Sequence, residues 1–463
     1  MSDYFRFLGD TTNKIFFSGM CGSSMLGLAL MTKESGYFVL GSDSSPSDDA
    51  KRLCREHSIP LFFSHSAENV CGCSTLVYTA AIDERNEELL YAREHGIRTY
   101  TRAEYLGLIT KAFAQTVAVA GTHGKSTATH LIYSILFSGE NTPYLLAGAP
   151  SKTDVCGYKS GSKDLLIYEA CEYNRSFLNF YVDCAVILNI EKEHIDVYPS
   201  LESSVEAYYE FAKRASVCIL NLDDRACVLL GEKLRNIGKR IYYFSANNRL
   251  AHAYCKARYK DRSSQSIDIY VLGENYNGVK LSLLGEHNVY NALCAILCAK
   301  LHGAEPQNIR NALGNFSGLK RRMEYIGTVN GARVYDDYAH HPTEIRATLT
   351  SARELGYKKI VCAFQPHTYS RTKEFFKEFT ESFKNADEII FADIYPAREE
   401  NVFGISSLAL ANETENAIYI PSFQKITEYL LKKANSDTLI LTMGAGKMNE
   451  IAYELCKTTK ENF

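Results

Sequence analysis

Short apolar runs alternate with amphipathic segments along most of the chain, and this alternation predicts strands that are separated by single helices. The runs at residues 14–18, 117–120 and 165–168 are typical of buried strands. Strands that are joined through single helices form parallel sheets, whose ligand sites lie at the carboxyl ends of the strands. We therefore expect an α/β protein with its binding sites in strand-to-helix turns.

One segment departs from this alternation. Residues 267–284 alternate apolar and polar positions around Asn277-Gly278, a pair that favours a tight hairpin turn. A helical pattern over residues 289–301 follows it. The central part of the chain is therefore predicted to combine a mostly parallel sheet with a small β-hairpin region.

The length of 463 residues corresponds to three domains at about 150 residues each. The basic run Lys320-Arg321-Arg322 follows Ser317-Gly318 and is interpreted as a linker into a third α/β unit. We expect an N-terminal Rossmann-like domain over residues 1–113, a central phosphate-loop ATPase domain over 114–318 and a C-terminal Rossmann-like domain over 319–463.

Composition excludes several classes of protein. The 51 basic and 54 acidic residues give a net charge of −3, so the chain offers no basic surface of the kind that general nucleic-acid binding requires. No apolar stretch approaches the roughly 18 residues that a membrane span needs, and the first residues lack a signal-peptide pattern. The 14 cysteines are scattered, many of them inside apolar runs. We expect a cytoplasmic protein with reduced thiols and no nucleic-acid or membrane partner.

The strongest chemical signal is the segment Gly121-Thr122-His123-Gly124-Lys125-Ser126-Thr127 between a strand and a helix. The backbone N–H groups of such a loop, together with the helix N-terminus, bind phosphate. Lys125 supplies a positive charge, and the Ser126 hydroxyl is a magnesium ligand in such loops. Val119 stands where the usual motif has its first glycine, so the segment is a variant phosphate loop.

Acidic residues for a magnesium nucleotide follow the next strands. Glu169 comes directly after the strand at residues 165–168, and Glu172 lies three residues further on. At the end of another strand, His194 is a candidate for metal binding or phosphate orientation, and a surface histidine is the alternative.

The first strand-to-helix turn is also glycine-containing, in Gly19-Met20-Cys21-Gly22-Ser23-Ser24, and Ser42-Asp43 follows about 20 residues later. Cys21 and Ser24 occupy positions where the dinucleotide motif has glycine, so the turn predicts a nucleotide other than NAD. Two further clusters, at residues 336–342 and 365–372, gather polar, aromatic and cationic groups at adjacent strand ends. They predict a site for a carboxylated ligand, with helix capping as the alternative.

The order and spacing of these motifs resemble the Mur ligase family over nearly the whole chain. The resemblance rests on residues 121–126, on Asn189-Ile190-Glu191-x-x-His194, on Gly285-Glu286-His287-Asn288-x-x-Asn291-Ala292 and on the two C-terminal clusters. It implies domains for a UDP-sugar, for ATP with Mg²⁺ and for an amino acid. It implies peptidoglycan precursor synthesis by ligation of L-alanine to the lactyl carboxylate of UDP-N-acetylmuramate, through an acyl phosphate, with release of ADP and phosphate.

The resemblance also implies residue roles, and it favours Glu169 over Glu172 because Glu169 matches the first acid of the family. The implied catalytic residues are Lys125, Glu169, His194 and Arg371. The implied ATP contacts are Gly121, Thr122, His123, Gly124, Lys125, Ser126, Thr127, His287, Asn288, Asn291, Arg322 and Asp337. The implied metal ligands are Ser126, Glu169 and His194. The implied UDP-sugar contacts are Gly19, Gly22, Ser42 and Asp43, and the implied amino-acid contacts are His341, His367 and Arg371.

Three other functions compete with this one. A recycling ligase joins the same UDP-sugar to a preformed tripeptide, but members of that kind lack the stretch at residues 365–371. A nucleotide-gated regulatory protein would have no need of the complete set of candidate catalytic residues. A nicotinamide-dependent oxidoreductase is disfavoured by the broken first glycine motif. The sequence leaves open whether the protein is a monomer or a dimer.

Overall fold

The computed structural model describes residues 3–137, 142–194, 197–260 and 264–458. The chain divides into two units, one formed by residues 1–258, 266–281 and 289–317 and the other by residues 259–265, 282–288 and 318–463. Within the described ranges, none of the helices has both the length and the apolar character that crossing a membrane requires.

The first unit begins with a five-stranded parallel sheet in the order β3-β2-β1-β4-β5. Its elements are β1 (Lys14–Ser18), α1 (Ser23–Glu34), β2 (Phe38–Ser42), α2 (Asp48–Glu56), β3 (Leu61–Phe62), β4 (Thr75–Tyr78), α3 (Glu87–Glu94), β5 (Arg98–Thr101) and α4 (Arg102–Ala112). The strand order reverses next to β1, so the turn after β1 lies at the switch point where ligands bind in open α/β sheets. Ile15 and Phe17 pack into one apolar cluster and Phe16 into another, as alternating positions of a doubly covered strand must.

The same unit carries a ten-stranded sheet in the order β15-β14-β13-β12-β11-β10-β6-β9-β7-β8. Its elements are β6 (Gln115–Ala120), α5 (Lys125–Leu136), β7 (Tyr144–Leu146), β8 (Tyr158–Lys159), β9 (Leu165–Glu169), β10 (Cys184–Ile187), α6 (Leu201–Ala212), β11 (Val217–Asn221), α7 (Arg225–Asn236), β12 (Arg240–Ser245), β13 (Ala253–Lys260), β14 (Gln265–Val271), β15 (Glu274–Leu281), α8 (Glu286–Leu301) and α9 (Pro306–Asn315). Because β6 lies between the parallel strands β9 and β10, the loop after β6 is flanked by the ends of both neighbours.

The predicted hairpin exists, but its predicted turn is wrong. β14 ends at Val271 and β15 begins at Glu274, so the turn is Leu272-Gly273 and Asn277-Gly278 lies inside β15. Leu272 and Gly273 have φ values of 49° and 93°, which fit the primed turn that a two-residue hairpin requires. Gly278 also has a positive φ, of 60°, although it belongs to a strand.

The second unit contains a six-stranded sheet in the order β16-β17-β21-β18-β19-β20, antiparallel only between its first two strands. Its elements are β16 (Glu324–Val329), β17 (Ala332–Asp337), α10 (Pro342–Glu354), β18 (Lys359–Phe364), α11 (Tyr369–Glu374), α12 (Phe376–Glu381), β19 (Glu388–Phe391), α13 (Ser407–Glu413), β20 (Ala417–Tyr419), α14 (Phe423–Lys433), β21 (Thr438–Met443) and α15 (Asn449–Thr458). The short helices α11 and α12 are separated by Phe375 alone.

The predicted fold class is confirmed: three α/β sheets, mostly parallel, follow one another, with a hairpin region in the middle one. The basic run after Gly318 is not a plain linker, because Arg321 donates to the Asp336 carboxylate at 3.1 Å and to the carbonyl oxygen of Gly444. The domain boundaries at residues 113 and 318 stay predictions.

One ion-paired carboxylate allows a test of the second unit. Lys359 and Lys433 approach Glu388 at 2.7 and 3.0 Å, and Tyr429 donates to it. Burial raises the pKa of Glu388, but these partners outweigh it and lower the pKa from 4.5 to about 2. A lowered pKa in the folded state stabilises the fold above the unfolded pKa, and this stabilisation is lost as pH falls through the folded pKa.

Glu388→Gln is therefore expected to lower the free energy of unfolding by about 1–2 kcal/mol at pH 7, with the difference from the parent protein shrinking between pH 4.5 and pH 3. Urea unfolding at several pH values measures it, with the exposed Glu381→Gln as the control. A difference that did not change with pH would contradict the ion-pair explanation.

Candidate active site

The phosphate loop connects β6 to α5, and glycine is required at both of its ends. Gly121 and Gly124 have φ values of 136° and 86°. A Cβ at Gly124 would lie 2.6 Å from Oδ1 of Asn291, which is buried. The structure thus brings Asn291, which sequence reasoning placed with ATP, directly against the loop.

Asn189 holds this loop in place from the end of the neighbouring strand. The His123 N–H donates to Oδ1 of Asn189 at 2.8 Å, and the Asn189 amide donates to the His123 carbonyl at 3.2 Å. The Thr122 N–H donates to the Asn189 carbonyl, and the Glu191 N–H donates to the Thr122 hydroxyl. Asn189 belonged to the sequence motif without a role, and these bonds show that it fixes the loop conformation.

Lys125 folds back over the loop. Its Nζ donates to the carbonyl oxygens of Gly121 and Thr122 at 2.6 and 3.0 Å and lies 2.9 Å from Oε2 of Glu172. Burial lowers the pKa of Lys125, but the neighbouring acidic groups, with Glu172 foremost among them, together outweigh burial, so the net pKa lies above the ordinary value. The ammonium group is therefore held in its charged form at the loop.

Glu172 and His194 form the next layer. Burial raises the pKa of Glu172, but Lys125 and His194 together lower it by more than burial raises it. The net pKa therefore lies below the ordinary value, and the carboxyl group is ionised. Nε2 of His194 lies 3.5 Å from Oε1 of Glu172, and the His194 ring contacts Tyr173. The structure thus brings His194 to the loop through Glu172, the acid that the sequence ranked second.

Glu169 and Ser126 meet at the start of α5. The Ser126 hydroxyl donates to Oε2 of Glu169 at 2.7 Å, and the Gly148 N–H donates to the same oxygen at 2.7 Å. A hydroxyl and a carboxylate side by side are the oxygen ligands that Mg²⁺ prefers, and Mg²⁺ completes its shell with water and substrate phosphates. These two residues therefore fit a magnesium ion.

The predicted UDP-sugar residues surround the turn after β1. The Gly19 N–H donates to the Ser42 carbonyl, and the Cys21 N–H donates to the Asp43 carboxylate, both at 2.9 Å. Gly22 is the N-cap of α1, and as a glycine it has no side chain with which to cap this helix. An uncapped helix start at a switch point is suited to bind phosphate.

A cavity of about 190 Å³ joins this turn to Glu169. Ser23 and Ser24 line it at the start of α1, Gly148 and Glu169 line it at the magnesium candidate, and Arg102 adds the positive charge of α4. Sequence reasoning missed Arg102, because nothing in the sequence near it indicates a site. A ligand that holds its phosphates at α1 and its reacting carboxylate at Glu169 would occupy this cavity.

Glu88 is a second residue that sequence reasoning missed. It is fully buried, and its Oε2 accepts the hydroxyls of Ser18 and Ser42 at 2.6 and 2.7 Å, with Nδ1 of His65 at 2.9 Å. Its other oxygen accepts the amide of Asn69. The Ser42 hydroxyl therefore faces Glu88 inside the protein, and Ser42 contributes to the turn through its carbonyl group.

In the second unit, Asp337 ends β17 and is almost fully buried. It accepts the N–H groups of Met323 and Ala339 at 2.7 and 2.8 Å. Burial raises the pKa of Asp337 to about 6, against the lowering effect of Arg322. Arg322 lies over the Tyr338 ring and 3.5 Å from Glu344, so both predicted nucleotide residues occupy the same strand end.

The predicted amino-acid residues also lie together in this unit. The Arg371 guanidinium donates to Nδ1 of His367 at 3.0 Å, and the His367 ring stacks on Tyr395. His341 is the N-cap of α10, and its ring contacts Phe375, one turn beyond Arg371. The first residues of α8, up to Asn288, belong to this second unit, and the rest of the helix belongs to the first. There the Asn288 amide donates to the Leu284 carbonyl and lies 3.0 Å from Nε2 of His287.

The chain matches known proteins of one family. Three models of Mur ligase domains match the chain: the catalytic domain of the Mur ligase family at residues 14–114, the Mur ligase middle domain at 119–299 and the glutamate ligase domain at 321–446. The UDP-N-acetylmuramate–L-alanine ligase of Caldicellulosiruptor bescii is 38% identical over 449 residues, which cover 95% of this chain and 97% of that protein. The ligase of the same name from Agathobacter rectalis is 39% identical, over 96% and 97% of the two chains.

Solved structures show the same fold. The UDP-N-acetylmuramate-alanine ligase of Thermotoga maritima superposes with a TM-score of 0.83 at 24% identity, over 97% of this chain and 100% of that one. A murein peptide ligase of Psychrobacter arcticus superposes with a TM-score of 0.74 at 22% identity, over 97% and 99% of the two chains. At this identity the two likenesses concern the fold.

The glycine at the end of the phosphate loop gives a test of the site. Gly124→Ala is expected to lower the free energy of unfolding by more than about 2 kcal/mol and to abolish ATP binding, because it combines a strained φ with a clash against Asn291. Thermal unfolding and calorimetry measure the two effects. The matched control is Gly238→Ala. Gly238 has a similar φ of 78°, but a Cβ there meets open space, so this variant is expected to lower the free energy of unfolding by about 1 kcal/mol. Equal effects of both variants would contradict the role of the Asn291 contact.

Proposed function

Because the chain belongs to the Mur ligase family, we propose that it joins L-alanine to the lactyl carboxylate of UDP-N-acetylmuramate with ATP as the energy source. The single observation that carries the proposal is the cavity that leads from the N-terminus of α1 to Glu169, beside the phosphate loop. Its end at Ser23 and Ser24 is proposed to take the phosphates of the sugar nucleotide, and its other end, at Glu169, contacts Ser126 beside the phosphate loop. A substrate with both a diphosphate and a carboxylate fits this arrangement.

The reaction is proposed to proceed in two displacements. A carboxylate oxygen of the sugar attacks the γ-phosphorus of ATP, the bond to the β-phosphate oxygen breaks, and ADP leaves. The amine of L-alanine then attacks the acyl carbon, loses a proton and expels phosphate. The contribution of the protein to such chemistry is positioning and charge stabilisation.

Lys125 is proposed to neutralise the phosphates of ATP. Its ammonium group is charged and is held by Glu172 and by two loop carbonyls. The loop N–H groups and the start of α5 orient the phosphates, and Asn189 keeps the loop in shape. Mg²⁺, held by Ser126 and Glu169 with His194 on a second ion, would neutralise the charge that develops on the transferring phosphoryl group.

The remaining roles are proposed from the family resemblance and from how the residues lie in each unit. Gly19, Gly22, Ser42 and Asp43 shape the turn for UDP, and Arg102 joins them from the cavity wall. In the second unit, Arg322, Asp337, His287 and Asn288 are proposed nucleotide contacts, and His341, His367 and Arg371 are proposed to bind the carboxylate of L-alanine. A cytoplasmic location, and a monomeric or dimeric state, stay predictions.

A substrate-omission assay tests the function. The purified protein is expected to release phosphate from ATP only when UDP-N-acetylmuramate and L-alanine are both present, since each displacement needs its own nucleophile. Lys125→Ala, prepared in the same way, is expected to lose about 10²–10³-fold in turnover and so excludes a contaminating ATPase. Equal turnover with the tripeptide in place of L-alanine would assign the recycling reaction instead, and full activity of Lys125→Ala would refute the mechanism.

The magnesium role of Glu169 is tested separately. Glu169→Gln removes the charge of one proposed ligand but keeps its shape, so the Mg²⁺ concentration for half-maximal activity is expected to rise about tenfold. Steady-state rates over a Mg²⁺ titration measure this shift. The control is Glu274→Gln, which removes a surface carboxylate paired with Lys300 and is expected to leave the titration unchanged. An unshifted midpoint in Glu169→Gln would refute the ligand assignment.

A further inference from the structure

The buried carboxylate of Glu88 connects the carboxyl ends of neighbouring strands in the first sheet. Glu88 is fully buried and lies in the first turn of α3. Its Oε2 accepts the hydroxyl groups of Ser18, the last residue of β1, and of Ser42, the last residue of β2. Nδ1 of His65 bonds to the same oxygen, and the Asn69 amide donates to Oε1, so the segment after β3 is joined to this carboxylate as well. The ligation reaction as proposed gives Glu88 no role.

The carboxylate sets the direction of the hydrogen bonds around it, because an ionised carboxylate accepts hydrogen bonds and donates none. The hydroxyl hydrogens of Ser18 and Ser42 are therefore directed at Glu88. For the same reason, Nδ1 of His65 carries a proton where it bonds to Oε2. An amide at position 88 would not impose this order, because its nitrogen is itself a donor.

Both strand ends that Glu88 holds lead into the turn at residues 19–24, which is the proposed UDP turn. Ser18 directly precedes Gly19 in the chain. The carbonyl oxygen of Ser42 accepts the N–H groups of Gly19 and Met20, each at 2.9 Å. The turn is thus fixed to β2 through the Ser42 carbonyl, and Ser42 is fixed to Glu88 through its hydroxyl. A change at the carboxylate would therefore reach the turn from both of its anchored sides.

Burial of a carboxylate is an expensive way to fill this space. Removing the charge from water is unfavourable unless hydrogen bonds compensate for it, and here four donors and the N-terminal end of α3 do so. A well-packed hydrophobic side chain would avoid the desolvation altogether. What the carboxylate adds to packing is the fixed direction of the bonds that hold the strand ends.

We propose that Glu88 is a positioning residue of the sugar-nucleotide site. It acts through the Ser18 and Ser42 hydroxyls to fix the turn that receives the diphosphate, and it holds His65 with a proton on Nδ1. Glu88 is fully buried, so it acts on the substrate only through these partners. This role rests on the proposed function, because it is defined by binding of the UDP-sugar. The affinity for the sugar nucleotide depends on Glu88, whereas binding of ATP does not.

Steady-state kinetics of Glu88→Gln test this role. The KM for UDP-N-acetylmuramate is expected to rise about tenfold, while kcat and the KM for ATP change by less than about twofold. A residue that only stabilised the fold would lower the amount of active enzyme, and so kcat, without changing KM. The matched control is Tyr105→Phe, which removes the buried hydrogen bond between the Tyr105 and Thr32 hydroxyls in the same unit and is expected to leave KM unchanged. An unchanged KM in Glu88→Gln would overturn the proposal.

Ser18→Ala guards against a folding defect of Glu88→Gln, because it removes one donor and keeps the carboxylate. Calorimetry with UDP as the probe is expected to show affinity reduced about threefold in Ser18→Ala and about tenfold in Glu88→Gln. The double variant is expected to lose less than the product of the two, since both changes act on the same bond. Independent effects would overturn the proposed path through Ser18. Failure of the parent protein to bind UDP would instead contradict the proposed function.

Nitrogen NMR of protein with ¹⁵N-labelled histidine reads the His65 ring without any ligand. The parent protein is expected to show a proton on Nδ1 of His65, and Glu88→Gln is expected to shift this signal. His65→Asn identifies the signal by its loss. A parent ring with Nδ1 unprotonated, or a signal that Glu88→Gln leaves in place, would overturn the positioning of His65. This measurement needs no UDP, so it distinguishes a failure of the Glu88 network from a failure of the proposed function.

Discussion

The buried pair of Lys125 and Glu172 is the interaction on which the phosphate loop depends. Both side chains are largely removed from water, which costs several kcal/mol for each charge unless a partner compensates for it. Glu172 is itself fixed by its position after β9, and its carbonyl accepts the Tyr198 hydroxyl at 2.6 Å. The Lys125 ammonium group is therefore already positioned at the loop. A phosphate oxygen that binds there would replace the Gly121 or Thr122 carbonyl, or the Glu172 carboxylate, as its partner.

This pairing separates the tasks of two acids that are only three residues apart. Glu169 accepts neutral donors, the Ser126 hydroxyl and the Gly148 N–H, and so remains suited to a metal ion. Glu172 takes the ammonium group of Lys125 and the imidazole ring of His194 as its partners. The sequence alone ranked the two acids by family spacing, whereas the structure distinguishes them by partner. A carboxylate already neutralised by lysine is a poor choice for magnesium, which supports the ranking on independent physical grounds.

The α/β class and the positions of the sites at strand ends were predictable, because strand runs, parallel crossovers and a glycine–lysine turn are local signals. The position of the hairpin turn was not predictable. Leu272-Gly273 adopts the positive φ values that such a turn requires, although a leucine there is unusual and Asn277-Gly278 is the more typical turn sequence. Residues that act at long range were missed for a different reason. Glu88 contacts Ser18 across 70 positions, and Arg102 reaches the cavity from a separate helix. No spacing rule connects such residues before the fold does.

The altered glycine motif after β1 shows which glycines the backbone of this turn needs. Gly19 has a φ of 72°, and a Cβ there would lie 2.6 Å from the Thr79 side chain, so a larger residue is excluded. Cys21, Ser23 and Ser24 all have negative φ values, so a side chain at these positions costs no backbone strain. The turn keeps glycine where the backbone demands it and admits side chains elsewhere. Serine hydroxyls then line the cavity in place of glycine hydrogens, which makes its wall more polar without changing the path of the chain.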